Sequence, residues 1–139
     1  MAEEKNTRSI TVSGKRKTAV AKATINPSKG KIFINNISYE HLDFLKKLMI
    51  QEIIELTKQA IENFDFDIDV RVRGGGNEGQ ISAARLAIAR ALLEITKSEK
   101  LKKTFLNYDR SLLVADIRRK EAYKPGDSKA RRKRQKSFR

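Results

Sequence analysis

Residues 64–73, read FDFDIDVRVR, alternate between apolar and charged side chains for ten positions without a break. Successive side chains of an extended strand point to opposite faces. Phe64, Phe66, Ile68, Val70 and Val72 therefore make one dry face, and Asp65, Asp67, Asp69, Arg71 and Arg73 make the other. A strand with one wet face belongs to a sheet covered on one side only, because strands buried on both faces of a parallel sheet read as continuous apolar runs. Three aspartates on one face invite a magnesium site. Carboxylates two residues apart on a solvent-facing strand more often pair with cations across the sheet, and no metal is expected.

The strand runs directly into Gly74-Gly75-Gly76-Asn77-Glu78-Gly79, which satisfies G-x-G-x-x-G between a strand and a helix. A dinucleotide fingerprint also needs a fully apolar first strand and an acidic residue ending a second strand about 20 positions on. Here the strand is half charged, and Glu94 lies inside the helical run itself. The turn instead offers backbone N–H groups at a helix start, with Asn77 as the expected cap and Gln80 reaching back. Such a place favours anions, and Arg73 stands beside it. The helix expected over 78–97 carries Ala83, Ala84, Ala87, Ile88, Ala91, Leu92 and Ile95 on one face, small enough to lie close on a sheet; Arg85 projects from its first half, and Arg90 is expected to pair with Glu94.

Upstream, Ile10 and Val12 alternate with Thr11 and Ser13, and Ala19, Ala21, Ala23 and Ile25 alternate with Val20, Lys22 and Thr24. Gly14-Lys15-Arg16-Lys17-Thr18 interrupts between them. It fails as a P-loop because position 9 is Ser and position 16 is Arg. Asn26 to Gly30 supply turn residues before Lys31 to Ile34, so residues 17–35 read as an antiparallel hairpin. Residues 38–62 take helical spacing with Leu42, Leu45, Met49, Ile53, Leu56 and Ala60 on one stripe, and a break near Lys46 to Leu48 is allowed for. His41 is the only histidine, and with no Cys it completes neither a zinc site nor a hydrolase triad. Ser98 to Leu106 reads as a short helix with Leu101, Phe105 and Leu106 inward. Ser111 to Ile117 is a last apolar stretch expected to tie the root of a tail to the body.

Charge is segregated along the chain. Residues 118–139 hold eleven Lys and Arg against Glu121 and Asp127, which is +9 of the formal +14; residues 5–31 hold eight basic and no acidic residues; residues 32–117 net −1. The tail has too few apolar side chains to offset an ordering cost of about 1–2 kcal/mol per residue, and its charge density suits a polyanion. A solvated solubility tail or a nuclear-targeting run is the plainer alternative. The expected organisation is one globular domain over 8–117 and an extended basic tail over 118–139. No run of 18 apolar residues and no signal-like apolar segment occurs, so a cytosolic protein with no membrane partner is expected. A free RNA or DNA chaperone would share the basic ends. A small enzyme would need a nucleophile with a base or paired carboxylates in a pocket, which the sequence does not offer.

Three blocks, SGKRKTAVAKATI, GGGNEGQISAARLAIARAL and LLVADIRRKEAYKPGDSKARRKRQKSFR, resemble in order the family of ribosomal protein nine of the small subunit, in its archaeal and eukaryotic form. The resemblance implies an α+β fold: a two-layer mixed sheet with helices on one face, like the second domain of small-subunit ribosomal protein five, with a left-handed β-α-β crossover. It implies a structural, non-enzymatic protein of the cytoplasmic ribosome without cofactor or small-molecule substrate. Its partners would be ribosomal RNA of the subunit head, neighbouring head proteins, and transfer RNA in the P site. The ribosomal-RNA contacts would fall on Lys15, Arg16 and Lys17, on Arg73, Gly74, Gly75, Gly76 and Arg85, and on Arg118, Arg119, Lys120, Lys124, Lys129, Arg131, Arg132, Lys133 and Arg134. Lys136, Ser137 and Arg139 would reach the transfer-RNA anticodon arm. The bacterial form ends Ser-Lys-Arg, whereas Phe138 stands before Arg139 here.

Overall fold

The computed structural model describes residues 9–61 and 64–125. Strands β1 (Ile10–Arg16), β2 (Ala19–Pro27), β3 (Ile32–Ile34) and β4 (Ile37–Ser38) precede a 3-10 turn (Tyr39–His41) and helix α1 (Phe44–Ala60). Strand β5 (Phe66–Arg73), helices α2 (Asn77–Thr96) and α3 (Glu99–Tyr108), and a second 3-10 turn (Arg110–Leu112) follow. The five strands make one open sheet in the order β1-β2-β5-β3-β4. All neighbours are antiparallel except β3 and β5, which run parallel and are joined through α1. The alternation in β5 does what its pattern predicts: Ile68, Val70 and Val72 are buried, and Arg71 and Arg73 are exposed. Helices cover one face of the sheet and leave the other open, the two-layer α+β arrangement expected.

The hairpin expected over 17–35 does not form. β2 pairs with β1 on one side and β5 on the other, and β3 lies beyond β5. The antiparallel hairpin is β1–β2, with Arg16 opposite Ala19 and Lys17-Thr18 as its turn, so Gly14 to Arg16 extend the first strand instead of interrupting it. Asn26 to Gly30 fold over the start of β5: the Ser28 N–H donates to the Asp65 carbonyl at 2.9 Å, and the Lys31 N–H to the Asp67 carboxylate at 2.8 Å. That backbone bond is the main reason the Asp67 carboxyl is held below its ordinary range. A second hairpin, β3–β4, turns at Asn35-Asn36, both at positive φ (50° and 67°), the geometry two-residue hairpin loops favour. Asn35 also holds β5, accepting the Val72 N–H on its side-chain oxygen at 2.8 Å.

Helix α1 starts after Asp43 and has no break at 46–48. Its buried face is Ile50, Ile53, Ile54, Leu56 and Thr57, whereas Leu45 is 72% exposed. Of the stripe read from sequence, Ile53 and Leu56 are buried, Leu42, Met49 and Ala60 pack against the core, and Leu45 turns outward; Ile50 and Ile54 complete the buried face. Thr57 belongs to it because its hydroxyl donates to the Ile53 carbonyl at 2.7 Å, leaving no bare polar group. In α3 Leu101 and Phe105 are buried, but Leu106 turns outward, 42% exposed.

The small residues of α2 meet a glycine. A Cβ on Gly14 would lie 2.4 Å from the Ala83 carbonyl oxygen and 2.6 Å from the Ala87 nitrogen, so β1 crosses α2 at backbone contact.

Candidate nucleic-acid interface

The β1–β2 turn and the glycine turn between β5 and α2 are packed against each other. Gly74 and Gly75 have φ of +75° and +69°, and a Cβ on either would strike Thr18 O at 2.7 Å or Ala19 Cβ at 2.9 Å. These glycines are required both for a left-handed backbone and for close approach of the neighbouring turn. The register puts Arg73 opposite Val20, which is opposite Lys15, so three strands bring Lys15, Lys17 and Arg73 to one corner of the molecule. All three are exposed, and none is ion-paired among the described residues.

Helix α2 begins at the same corner. Its N-cap is Gly76, with no side-chain cap, and not the expected Asn77, which is already helical. Gln80 reaches back as expected, but to the Gly74 carbonyl, at 3.3 Å. The first turn of a helix without a capping side chain retains its partial positive charge toward solvent.

Below the corner lies a cleft of about 230 Å³ lined by Lys15, Arg16, Ser82, Arg85, Leu86, Ser111, Asp116 and Arg118. Four of the residues singled out from sequence thus meet in one depression. Three are already committed. Arg16 is ion-paired with Asp116, whose carboxylate also accepts from Arg118 Nε and Nη2 at 2.8 and 2.6 Å. Arg85 Nη2 donates to Glu52 of α1 at 2.6 Å, Nη1 lies 3.7 Å from Asp109, and Tyr108 donates its hydroxyl to the other Glu52 oxygen. This last bond raises the Tyr108 pKa. Asp109 is held below the usual carboxylate range chiefly by the Ser111 hydroxyl, with further help from the Ser111 N–H and the Arg85 charge. Arg85 is therefore a brace between α1, α2 and the end of α3, and its buried Nε has no hydrogen-bond partner among the described residues.

Arg90 departs from expectation. Instead of pairing with Glu94 it donates Nε to the Leu113 carbonyl at 2.9 Å and Nη1 to the Ser13 carbonyl at 3.2 Å. It thereby ties helix, edge strand and tail root together. Leu112 is the buried anchor of that root, whereas Val114 and Ile117 are exposed. Arg119, Lys120 and Lys124 continue as exposed cations; Lys120 donates to the Tyr123 hydroxyl at 2.7 Å, and its ammonium sits 4.5 Å from that ring's centroid. Lys129, Arg131, Arg132, Lys133, Arg134, Lys136, Ser137 and Arg139 lie outside the described residues.

Glu52 and Asp109, the carboxylates that engage Arg85, were not singled out from sequence; they stand 33 residues before it and 24 after it, beyond any local signal. Among the described residues no group of His, Asp and Glu is arranged to hold a metal, and no helix there is long and apolar enough to cross a membrane.

Residues 14–139 match the family described as Ribosomal protein S9/S16. Over 130 residues the chain is 45% identical to "Small ribosomal subunit protein uS9" of Methanococcus maripaludis strain C7, an alignment covering 91% of this chain and 95% of that one. It is 44% identical over 131 residues to the protein of the same name from Methanothrix thermoacetophila, covering 94% and 98%.

Proposed function

The chain belongs to the ribosomal protein S9/S16 family, structural and not enzymatic constituents of the small ribosomal subunit, and we propose that its basic corner docks on ribosomal RNA of the subunit head. The observation that carries this reading is the convergence of Lys15, Lys17 and Arg73 with the uncapped start of α2, above a cleft lined by Arg16, Arg85 and Arg118. Exposed cations beside helix N–H groups suit phosphate oxygens. The glycine turn thus faces an RNA backbone and not a dinucleotide. Its glycines serve turn-to-turn packing, and β5 has the wrong burial for a dinucleotide strand.

The tail, residues 118–139, adds most of the affinity. Its root is latched by Arg16 and Arg118 on Asp116, and beyond that it runs along RNA, with Lys136, Ser137 and Arg139 reaching the anticodon arm of P-site transfer RNA. Neighbouring head proteins complete the surroundings of the body.

One reconstitution tests the whole reading. Small subunits are assembled with the full chain, with a chain lacking residues 136–139, or with one ending at Ile117, then assayed for incorporation by sedimentation and for P-site transfer RNA by filter binding at two salt concentrations. Removal of 136–139 should spare incorporation and weaken transfer RNA; ending at Ile117 should make incorporation markedly more salt-sensitive. Unchanged transfer-RNA affinity in the shorter deletion would remove the tip's role. Saturable micromolar binding of NAD or FAD to the free protein would overturn the assignment of the glycine turn.

A further inference from the structure

The face of the sheet that the helices leave uncovered carries its own charge pattern. β1, β2 and β5 are in antiparallel register, so side chains sharing that face form rows across the three strands. One row is Lys15, Val20 and Arg73; the next is Ser13, Lys22 and Arg71. Lys22 and Arg71 are directly opposed, both exposed, Arg71 with 80% of its side chain in solvent. Like charges directly opposite one another destabilise a sheet. Among the described residues Arg71 is ion-paired with Asp69 of the following row, 3.7 Å from the Arg71 Nε and with its side chain 44% exposed, a long, partly solvated pair that contributes little. The free protein thus holds an unfavourable pair at the centre of an open face. Lys15 and Arg73 extend it to four cations, spanning three strands and one two-residue step of about 7 Å.

We propose that this open face is a second ribosomal-RNA contact, a phosphate-backbone platform centred on Lys22 and Arg71 and continuous with the corner through Lys15 and Arg73. The inference rests on the reading of the corner as an RNA site and extends it across the sheet. Charge complementarity selects a polyanion over a protein partner, since Val20 is the one apolar side chain within the two rows. The same composition selects phosphate over base: the rows carry no aromatic ring on which a base could stack. Contacts of this kind position RNA without reading its sequence.

The full chain and a Lys22→Ala/Arg71→Ala double variant are titrated against a transcript of the small-subunit head RNA across a salt series, with thermal unfolding of each free protein alongside. Two lost phosphate contacts should reduce the slope of log affinity against log salt by about 1.4 to 1.8. The unfolding midpoint should stay level or rise, since the opposed charges are gone. Arg71→Gln alone should remove about half of the slope change, and Lys22→Arg should restore the full slope. An unchanged slope in the double variant, with the parent binding normally, overturns the platform and leaves the corner intact. Unchanged RNA binding with lost incorporation into subunits would assign the face to a protein and also overturn it. A parent chain that fails to bind the transcript would overturn the corner reading, and the platform with it.

Discussion

Gly14→Ala tests whether β1 and α2 really meet at backbone contact. The new methyl would sit 2.4 Å from the Ala83 carbonyl oxygen, 2.6 Å from the Ala87 nitrogen and 3.0 Å from the Ala87 Cβ. Two of these neighbours are helix backbone, which cannot rotate away as the tip of a side chain can. The strand must lift or the helix must shift, and both are built into one core, β1 through Ile10 and Val12, which pack against it, and α2 through Ala84, Ile88 and Leu92. Overpacking typically costs about 1–3 kcal/mol, and a backbone clash on two sides places this case near 3. At roughly 4 °C per kcal/mol for a domain of this size, the melting midpoint should fall by about 12 °C. Gly79→Ala is the matched control: its methyl would find Ala19 Cβ at 3.6 Å and Arg16 O at 3.7 Å, ordinary contact, in a helical position. Exchanging a helical glycine for alanine gains up to about 1 kcal/mol. Calorimetry should therefore move the two midpoints in opposite directions. A Gly14→Ala midpoint within about 2 °C of the parent would refute the close-packing argument.

Asn36→Ala places an ordinary Cβ residue at φ 67° in the β3–β4 turn and should cost about 1–2 kcal/mol, whereas Asn36→Gly should be neutral or mildly stabilising; urea titrations of the two variants check this. Acid should destabilise the fold through Asp67 and Asp109, both with pKa lowered in the folded state. Their contribution is fully present above the unfolded aspartate pKa and is lost as pH falls through the lower folded values, so Asp67→Asn should flatten the acid limb of a stability-against-pH curve, and an unaltered limb would show that the Lys31 bond contributes nothing.

What was legible in the sequence was whatever one element announces by itself. The period-two run of β5, the glycine turn and the small-residue face of α2 each impose a local geometry, and the fold contains all three. Pairing was not legible in the same way. β2 and β3 are separated by turn residues and look like a hairpin, but the loop between them carries β3 past β2 to the far side of β5, a choice made by β5 and α1 tens of residues later. The Asn35-Asn36 turn between Ile34 and Ile37 is a local hairpin signal, but the longer run of turn residues upstream competes with it for β3. In α1 the stripe read from sequence packs inward apart from Leu45, and Ile50 and Ile54 join it where the helix lies on α2 and α3. Arg85 and Arg90 look alike on a helical wheel, as exposed-face cations; one became a brace to Glu52 and the other donated to two carbonyls, because their partners come from elements distant in sequence.

The run Lys15-Arg16-Lys17 shows what counting charge leaves undivided. Strand alternation sends Lys15 to the open face and Arg16 to the covered edge, and Lys17, at φ 53°, occupies the turn. Three consecutive cations therefore meet three environments. Arg16 is drawn under by Asp116, which holds Arg118 as well, so it orders the chain where the tail leaves the body. Among the described residues Lys15 and Lys17 have no such carboxylate, and both are exposed. Neutralising Arg16 would free Asp116 and loosen the segment that carries Arg118, whereas neutralising Lys15 or Lys17 would act on the corner proposed above as the RNA contact. A paired cation and two exposed ones, which composition merges into one basic block, are separated by the two-residue repeat of a strand and the turn that ends it.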